Sequence, residues 1–441
     1  MKRPTLPPDP PAAVAAPTHD APPEKRSTAA RRRMYLRRRI IVGTAALVTL
    51  LVVGVGVGAY AVYGFVDLTA GIHRSDLTLP GSNVTQNTSE TNILIMGLDS
   101  RLDENGDKLP QDVYNALHAG SGSDGGYNAN VLMLIHIPAG GGKAVGISIP
   151  RDDYVALAGS PDGVSHSKIK EAYGLALDQK LTELMKSGKV DQADAYQQAR
   201  ATARQTEITT VSDFLGGVPI NHFLEVTMAA FYQVAEAVQP VTVCVAEATQ
   251  DPYSGANFPA GVQQLTASQA VSFVRQRRDE HNPDLNFTDL DRERRQQAFI
   301  VSLATKLKKA DTFTNIGTLQ SLIDAAKQNI AIDSGLNLLS FASQASQFAG
   351  GNITFTTLPI TGYGVRDGKD VNLVDVNQIH ATVRNLLHPA SSSTAAKPSS
   401  APARDAHSAP VTAAPGSSSA GTSAPADPTA PLTSGGIPCV K

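Results

Sequence analysis

Residues 40–66 read IIVGTAALVTLLVVGVGVGAYAVYGFV without one charged side chain, and no other feature constrains the chain as much. About 20 consecutive apolar residues span a bilayer as a helix. Lys25, Arg26, Arg31, Arg32, Arg33, Arg37, Arg38 and Arg39 crowd its N-terminal side. Loops rich in Lys and Arg stay cytoplasmic, so everything from residue 67 onward is expected outside the cell, with the protein a single-pass component of the cell membrane. Residues 1–39, rich in Pro, Ala and Arg and without apolar periodicity, read as a disordered cytoplasmic tail too poor in structure for a helix-turn-helix. A cleaved signal peptide is the alternative, because Ala59-Tyr60-Ala61 resembles a small-residue cleavage site, although the run exceeds the roughly 7–15 apolar residues of a signal core.

Residues 67–91 read as a connector and residues 92–388 as one extracellular domain. The chain has 441 residues, 41% of them hydrophobic, enough for a sizeable core. NILIMGLD, NVLMLIHIP and KAVGISIP are short apolar runs closed by turn or polar residues, the pattern of buried strands in an α/β sheet. The Gly- and Asp-rich residues 102–127 predict a loop. Helical stretches are predicted over 171–215 and 228–238, a strand at VTVCV, and a helix from Thr266, which forms a capping box with Gln269. This alternation predicts a layered α-β-α domain with a central mixed sheet, preceded by one transmembrane helix. Residues 389–441, mostly Ser, Ala, Pro, Thr and Gly, read as a disordered tether whose final GIPCVK is the one patch with a reason to dock. Cys244 and Cys439 suit an exported chain with one disulfide, which would fold the tail back onto the domain; a buried thiol and a free tail thiol are the alternative.

Residues 273–297, FVRQRRDEHNPDLNFTDLDRERRQQ, carry Arg275, Arg277, Arg278, Arg292, Arg294 and Arg295 and no lysine. Arginine presents a planar fork that grips phosphate or carboxylate oxygens in pairs, so the residue choice points to geometry rather than charge alone. Interleaved Asp279, Glu280, Asp284, Asp289, Asp291 and Glu293 leave no broad positive field, which argues against nucleic acid and for a compact polyanion. Thr288 with Asp291 predicts a helix from Asp289, on which Arg292, Arg295, Gln296 and Phe299 share a face. Arg275 and Arg277 can serve one ligand only if the helix from Thr266 ends near Phe273. The plainer alternative is a solvated helix laced with ion pairs such as Asp291 with Arg295.

Asp99 ends the strand NILIMGLD and Arg101 follows it; Arg151 and Asp152 follow ISIP in the same way. Open α/β sheets place ligand groups at such strand ends. A loop cap at Asp99 and a surface ion pair at Arg151 are the alternatives. A hard cation such as Mg2+ bridging phosphate oxygens, with arginines neutralising the rest, is a common physical solution for a pyrophosphate. His118, His136, His166, His222, His281 and His380 lack metal-ligand spacing, and no GxSxG, HExxH or P-loop occurs.

In these residues the chain resembles the LytR-CpsA-Psr family of bacterial cell-wall enzymes. The resemblance runs in order through NILIMGLDSR, NANVLMLIHIP, ISIPRDDYV, SKIKEAYG, GVPINHFLEV, FVRQRRD and DLDRERRQQAF, over about residues 92–307. It implies a membrane-anchored α/β enzyme that transfers glycopolymers from polyprenyl-pyrophosphate carriers onto a peptidoglycan acceptor, in a high-GC Gram-positive bacterium. Carried over by position, Arg101, Arg151, Arg275, Arg277, Arg292, Arg295 and Gln296 would bind the pyrophosphate. Asp99 would hold Mg2+. Asn130 stands where the family commonly has a second acidic ligand; Asn can ligate through its carbonyl but brings no charge, and Asp103, Asp107 or Asp124 could substitute. Asp99, Asp152 and Asp289 are alternative general bases. A pyrophosphate hydrolase using the same site and a non-catalytic wall-binding protein are the competing functions.

Overall fold

The computed structural model describes residues 72–80, 90–120, 126–140, 142–280, 282, 285, 287–308, 321–322, 324, 327, 329–336, 352–389, 427, 429–433 and 436–441. The expected transmembrane helix at 40–66 and the tail at 1–39 lie outside these residues, and no described helix is long and apolar enough to cross a membrane.

The three apolar runs become neighbouring strands: β2 (Thr91–Leu98), β3 (Ala129–Ile137) and β4 (Ala144–Ser148), preceded by β1 (His73–Ser75) in the segment expected as a plain connector. Further along lie the short β5 (Tyr154–Ala156) and β6 (His166–Lys168), then β7 (His222–Val226), β8 (Val241–Val245), β9 (Thr249–Asp251), β10 (Ala256–Phe258) and β11 (Gly261–Leu265). The C-terminal part adds β12 (Ile330–Asp333), β13 (Ile353–Thr357), β14 (Gly362–Arg366), β15 (Lys369–Leu373), β16 (Leu432–Thr433) and β17 (Cys439–Val440). The main sheet runs β1-β12-β7-β2-β3-β4-β13-β16 and mixes parallel with antiparallel pairs, as the sequence predicts.

Helices cover both faces, because alternate strand residues point to opposite sides. Leu94, Met96, Leu132, Leu134 and Ile147 pack with helices α2 (Glu171–Ser187), α3 (Gln192–Phe214) and α7 (Val376–Leu387). Ile93, Met133, Ile135 and Phe355 face the other way, toward α4 (Met228–Val238), α5 (Ala267–Arg275) and α6 (Asp289–Lys308). Each such side chain, fully buried, contributes about 1.5–3 kcal/mol.

Local chemistry sets the helix ends. Thr227 accepts from the Ala230 N–H at 3.2 Å, Asp191 from the Asp194 N–H at 2.9 Å, and Thr266 with Gln269 forms the expected capping box. The stretch 171–215 is broken where Gly188 takes a left-handed conformation (φ 62°) and ends α2. The expected loop at 102–127 carries a short helix, α1 (Gln111–Leu117), whose Tyr114 and Leu117 pack against Ala229 and Val271. Seven residues are too few to show a helical period, so only the packing reveals it. The tether reading of 389–441 also needs correction at its end: β16 adds to β13, and β17 pairs in parallel with β8, joined by a disulfide between Cys439 and Cys244.

Candidate active site

Because β3 runs antiparallel to both neighbours, the C-terminal ends of β2 and β4 and the start of β3 share one edge of the sheet. Gly97 lets β2 pass close to β3 there: a Cβ on it would sit 2.8 Å from Val131 Cβ, and the strand register shifts at Gly97 and Leu98. Backbone bonds then stitch the site together. Asp99 N–H donates to Asn128 at 3.0 Å, Ala129 N–H to Lys170 at 3.0 Å, and Lys170 N–H to Arg151 at 3.2 Å.

One group of predicted residues meets around Arg151, which is 5% exposed. Its Nε and Nη2 donate to the two oxygens of Asp289 at 3.1 and 3.2 Å, and Nη1 donates to Asn130 Oδ1 at 2.6 Å. Arg292 Nη2 also donates to Asp289, at 2.9 Å. Thr288 and Asp291 cap this helix as predicted, the Thr288 hydroxyl donating to Asp291 at 2.8 Å, so the first turn of α6 is fixed beneath the cluster. Burial pulls the Arg292 guanidinium down to about 10, against the opposing pull of Asp289. Arg292 Nε is buried with no hydrogen-bond partner among the described residues.

A second group forms around Arg275. Helix α5 runs on through Arg275, two residues past the end near Phe273 that would put both arginines in extended chain, and leaves in an extended Gln276 (φ −54°, ψ 131°), so Arg275 is on the last turn and Arg277 beyond it. Arg275 donates to the Leu117 carbonyl of α1, and Asp99, Arg101 and Arg277 all act on its charge; burial leads in lowering its guanidinium. Arg277 is exposed, and its charge acts on both Arg275 and Arg292. Arg101 Nε is buried without a partner among the described residues.

Arg295 stands apart. It is wholly buried: Nε donates to the Lys441 carbonyl at 2.6 Å, Nη1 to Gln276 at 2.7 Å and Nη2 to Thr249 at 2.9 Å, with the Phe273 and Phe287 rings at 4.8 and 4.9 Å. Its donors are engaged by the protein itself, so it braces Gln276 and the C-terminus; the predicted ion pair with Asp291 goes instead to Lys441, at 3.4 Å. Gln296 donates to the Val274 carbonyl at 3.3 Å. Arg278 lies 5.0 Å over Tyr253, and Arg294 donates to the Ala430 carbonyl.

The loop after β2 rests on a closed charge network. Glu104 accepts from Arg200 at 2.7 Å and Arg204 at 2.9 Å, and Glu225 on β7 accepts from both arginines. All four side chains are buried. Burial alone would raise the Glu225 carboxyl, yet Arg204 and Arg200 hold it at about 2. Glu207, also on α3, accepts the Tyr173 N–H at 2.8 Å and no other donor among the described residues, and burial pushes it up to about 8.

Among the base candidates, Asp152 binds Lys170 at 2.7 Å and Lys168 at 3.4 Å; although burial raises it, Arg151 and Lys170 hold it below its ordinary range. Asp99 makes no side-chain hydrogen bond or ion pair among the described residues. Two buried carboxyls escape the sequence reading. Among the described residues, Glu293, between Arg292 and Arg294, has neither oxygen hydrogen-bonded, and Asp153 keeps one oxygen unpartnered; burial raises both well above the ordinary carboxyl value. A lone Glu inside a charged stretch gives no signal of burial.

For a metal, no group of three His, Cys, Asp or Glu side chains converges among the described residues. Asn130 Oδ1 already faces Arg151, and Asp103 accepts from the Asn105 and Asp107 N–H groups of its own turn. Asp124 lies outside the described residues. The donor set fits a cation held by the free Asp99 carboxylate together with ligand oxygens and water, the usual economy of Mg2+ sites. The cavity of about 180 Å³ beside Asn92, His136 and His388 lies at the other end of β2 and contains none of these residues.

The family model described as the LytR_cpsA_psr family matches residues 68–387. The chain therefore belongs to the LytR-CpsA-Psr family. It is 37% identical over 348 residues to the cell wall biosynthesis protein LcpA of Corynebacterium glutamicum, covering 78% of this chain and 64% of that one. The chain thus spans a little under two thirds of that relative's length. It is 28% identical over 287 residues to the polyisoprenyl-teichoic acid–peptidoglycan teichoic acid transferase TagU of Bacillus cereus, covering 64% of this chain and 74% of that one. Among solved structures, the LytR-Csp2A-Psr enzyme from Actinomyces oris aligns with a TM-score of 0.46 and 18% identity, over 71% of this chain and 95% of that one.

Proposed function

We propose that the protein is a single-pass membrane phosphotransferase that attaches a glycopolymer, carried on polyprenyl pyrophosphate outside the cell, to peptidoglycan. The observation that carries this reading is a group of arginines gathered at one sheet edge, in which the Nε atoms of Arg101 and Arg292 are buried without a hydrogen-bond partner among the described residues. An unpartnered donor in a dry site costs about 1–3 kcal/mol, which a doubly charged pyrophosphate would recover.

Arg151, Arg275, Arg277 and Arg292, with Arg101, would hold the two phosphates in line for attack. Asp99 would hold Mg2+, which supplies charge neutralisation at the phosphate oxygens. A sugar hydroxyl of peptidoglycan attacks the glycan-bearing phosphorus, the phosphoanhydride bond breaks, and polyprenyl phosphate leaves with the electron pair. Asp289 is the base that best takes the hydroxyl proton. Asp152 is clamped by lysines and Asp99 serves the cation, whereas Asp289 is released as the pyrophosphate draws Arg151 and Arg292 away from it. The uncharged run at 40–66 would keep the site beside its lipid-borne donor.

Supplying the full-length protein with a polyprenyl-pyrophosphate glycan and peptidoglycan oligomers tests this. A glycan–peptidoglycan phosphodiester is the expected product. Release of soluble phosphorylated glycan alone would make the protein a hydrolase, and no turnover would leave a wall-binding role.

A further inference from the structure

The hairpin of β14 and β15 presents a large side chain at the rim of the site that neither fold nor clamp uses. Tyr363 is 68% exposed, and Val365, two residues on, is 60% exposed. A side chain of that size left in water on an ordered strand is informative when its direction is fixed by register, as it is here. Tyr363 lies opposite Asn372 in the antiparallel pairing, and opposed residues share a face. Asn372 also forms a parallel bridge with Asp153, its N–H donating to the Asp152 carbonyl at 2.9 Å and its amide to Asp153 at 3.0 Å, so the segment that follows Arg151 extends the ribbon at the outer edge of β15. The face carrying Tyr363 is therefore shared with Asn372 and Asp153, two residues from Arg151.

The hairpin is also held rigidly. Asp367 (φ 51°) and Gly368 (φ 74°) make the tight two-residue turn that suits a twisted ribbon. Asp367 accepts from the Tyr154 hydroxyl at 2.7 Å, and Lys369 pairs with Glu171 at 2.5 Å. Partial burial, and then the charges of Asp291, Asp289 and Glu293, raise the Tyr363 phenol.

We infer that Tyr363 is the platform on which the acceptor saccharide stacks, presenting its hydroxyl to the phosphate held by Arg151 and Arg292. This rests on the transfer reading above. The chemistry of the patch selects the occupant: one flat aromatic face for the C–H side of a sugar ring, with the exposed Asp370 on the same face for its hydroxyls. The apolar area is one ring and one valine, too small for a prenyl chain.

The chain contains no tryptophan, so Tyr363→Trp in the full-length protein introduces a single fluorophore at the proposed subsite. Titration with soluble oligosaccharides of alternating N-acetylglucosamine and N-acetylmuramic acid should give a saturable emission shift, with or without donor turnover. Tyr363→Ala should raise the acceptor KM about tenfold while the donor KM stays unchanged, and Tyr363→Phe should retain wild-type values. An emission shift with phospholipid vesicles but none with oligosaccharide would overturn the inference, as would an unchanged acceptor KM in Tyr363→Ala. Saturable binding of the same sugars that Tyr363→Ala weakens, in a protein that transfers nothing when donor is supplied, would count against the transfer reading and leave the subsite standing.

Discussion

Arg200 and Arg204 sit on α3 with their forks filled by Glu104 and Glu225, while Arg151 and Arg292, also buried, share the carboxylate of Asp289, and the nearby Asp152 is divided among Arg151, Lys168 and Lys170. Both pairs are enclosed by the fold, but their balances differ. The first has two carboxylates for two guanidiniums and no reason to bind anything further. In the second, Asp289 and Asp152 face four cations, Arg151, Arg292, Lys168 and Lys170, the charge of Arg277 acts on both Arg275 and Arg292, and Arg292 Nε is left without a partner among the described residues. A closed network fixes structure; an open one stores affinity for an anion.

Substitutions on either side separate the two clusters. Arg200→Ala or Arg204→Ala should lose about 3–5 kcal/mol of stability, because a buried carboxylate is left uncompensated; calorimetric or denaturant unfolding reads the loss. The loop from Asp99 to Leu109, which Glu104 anchors, should lose protection against hydrogen exchange with it. Arg292→Ala should do the reverse, lowering transfer by about 10²–10³-fold, as loss of one preorganised charge donor does, while the melting temperature moves little. If Arg292→Ala unfolded the protein as Arg204→Ala does, the two clusters would be of one kind.

Glu207 extends the contrast, being a buried carboxyl on α3 with no cation of its own. Its folded value of about 8 lies above the ordinary 4.5, so the folded state holds a proton that the unfolded chain has released. Its favourable contribution is complete below pH 4.5 and is lost as pH rises through 8. Glu207→Gln should flatten that decline, by up to about 1.4 kcal/mol per pH unit within the window, read from unfolding midpoints against pH. The smallest effect belongs to Arg278, which only lies over the exposed Tyr253. Arg278→Ala should change stability by no more than about 0.5 kcal/mol and leave transfer near wild type.

The strand-end residues were legible because apolar runs stop where the sheet stops: Asp99 and Arg151 follow directly from where β2 and β4 end. The caps at Thr266 and Thr288 were legible for the same local reason, since each bonds within three residues. Arg295 was not. Helical spacing puts it on the side of Arg292 but says nothing of what meets that side, and what meets it is the chain's last residue and rings from three separate segments. Pairing of Cys244 with Cys439 was legible as one of two readings, and the structure selects it because β17 lies beside β8. Glu293 and Tyr363 mark the same limit from opposite ends: a charged residue that is buried and an aromatic one that is not.

Whether the open arginine cluster holds a pyrophosphate is read most directly from calorimetric binding of farnesyl pyrophosphate to the full-length protein in the presence of Mg2+. Saturable binding is expected, which Arg151→Ala and Arg292→Ala each weaken about 10- to 100-fold with unfolding temperatures close to wild type. Equal affinity in wild type and both variants would contradict a pyrophosphate clamp at this edge of the sheet.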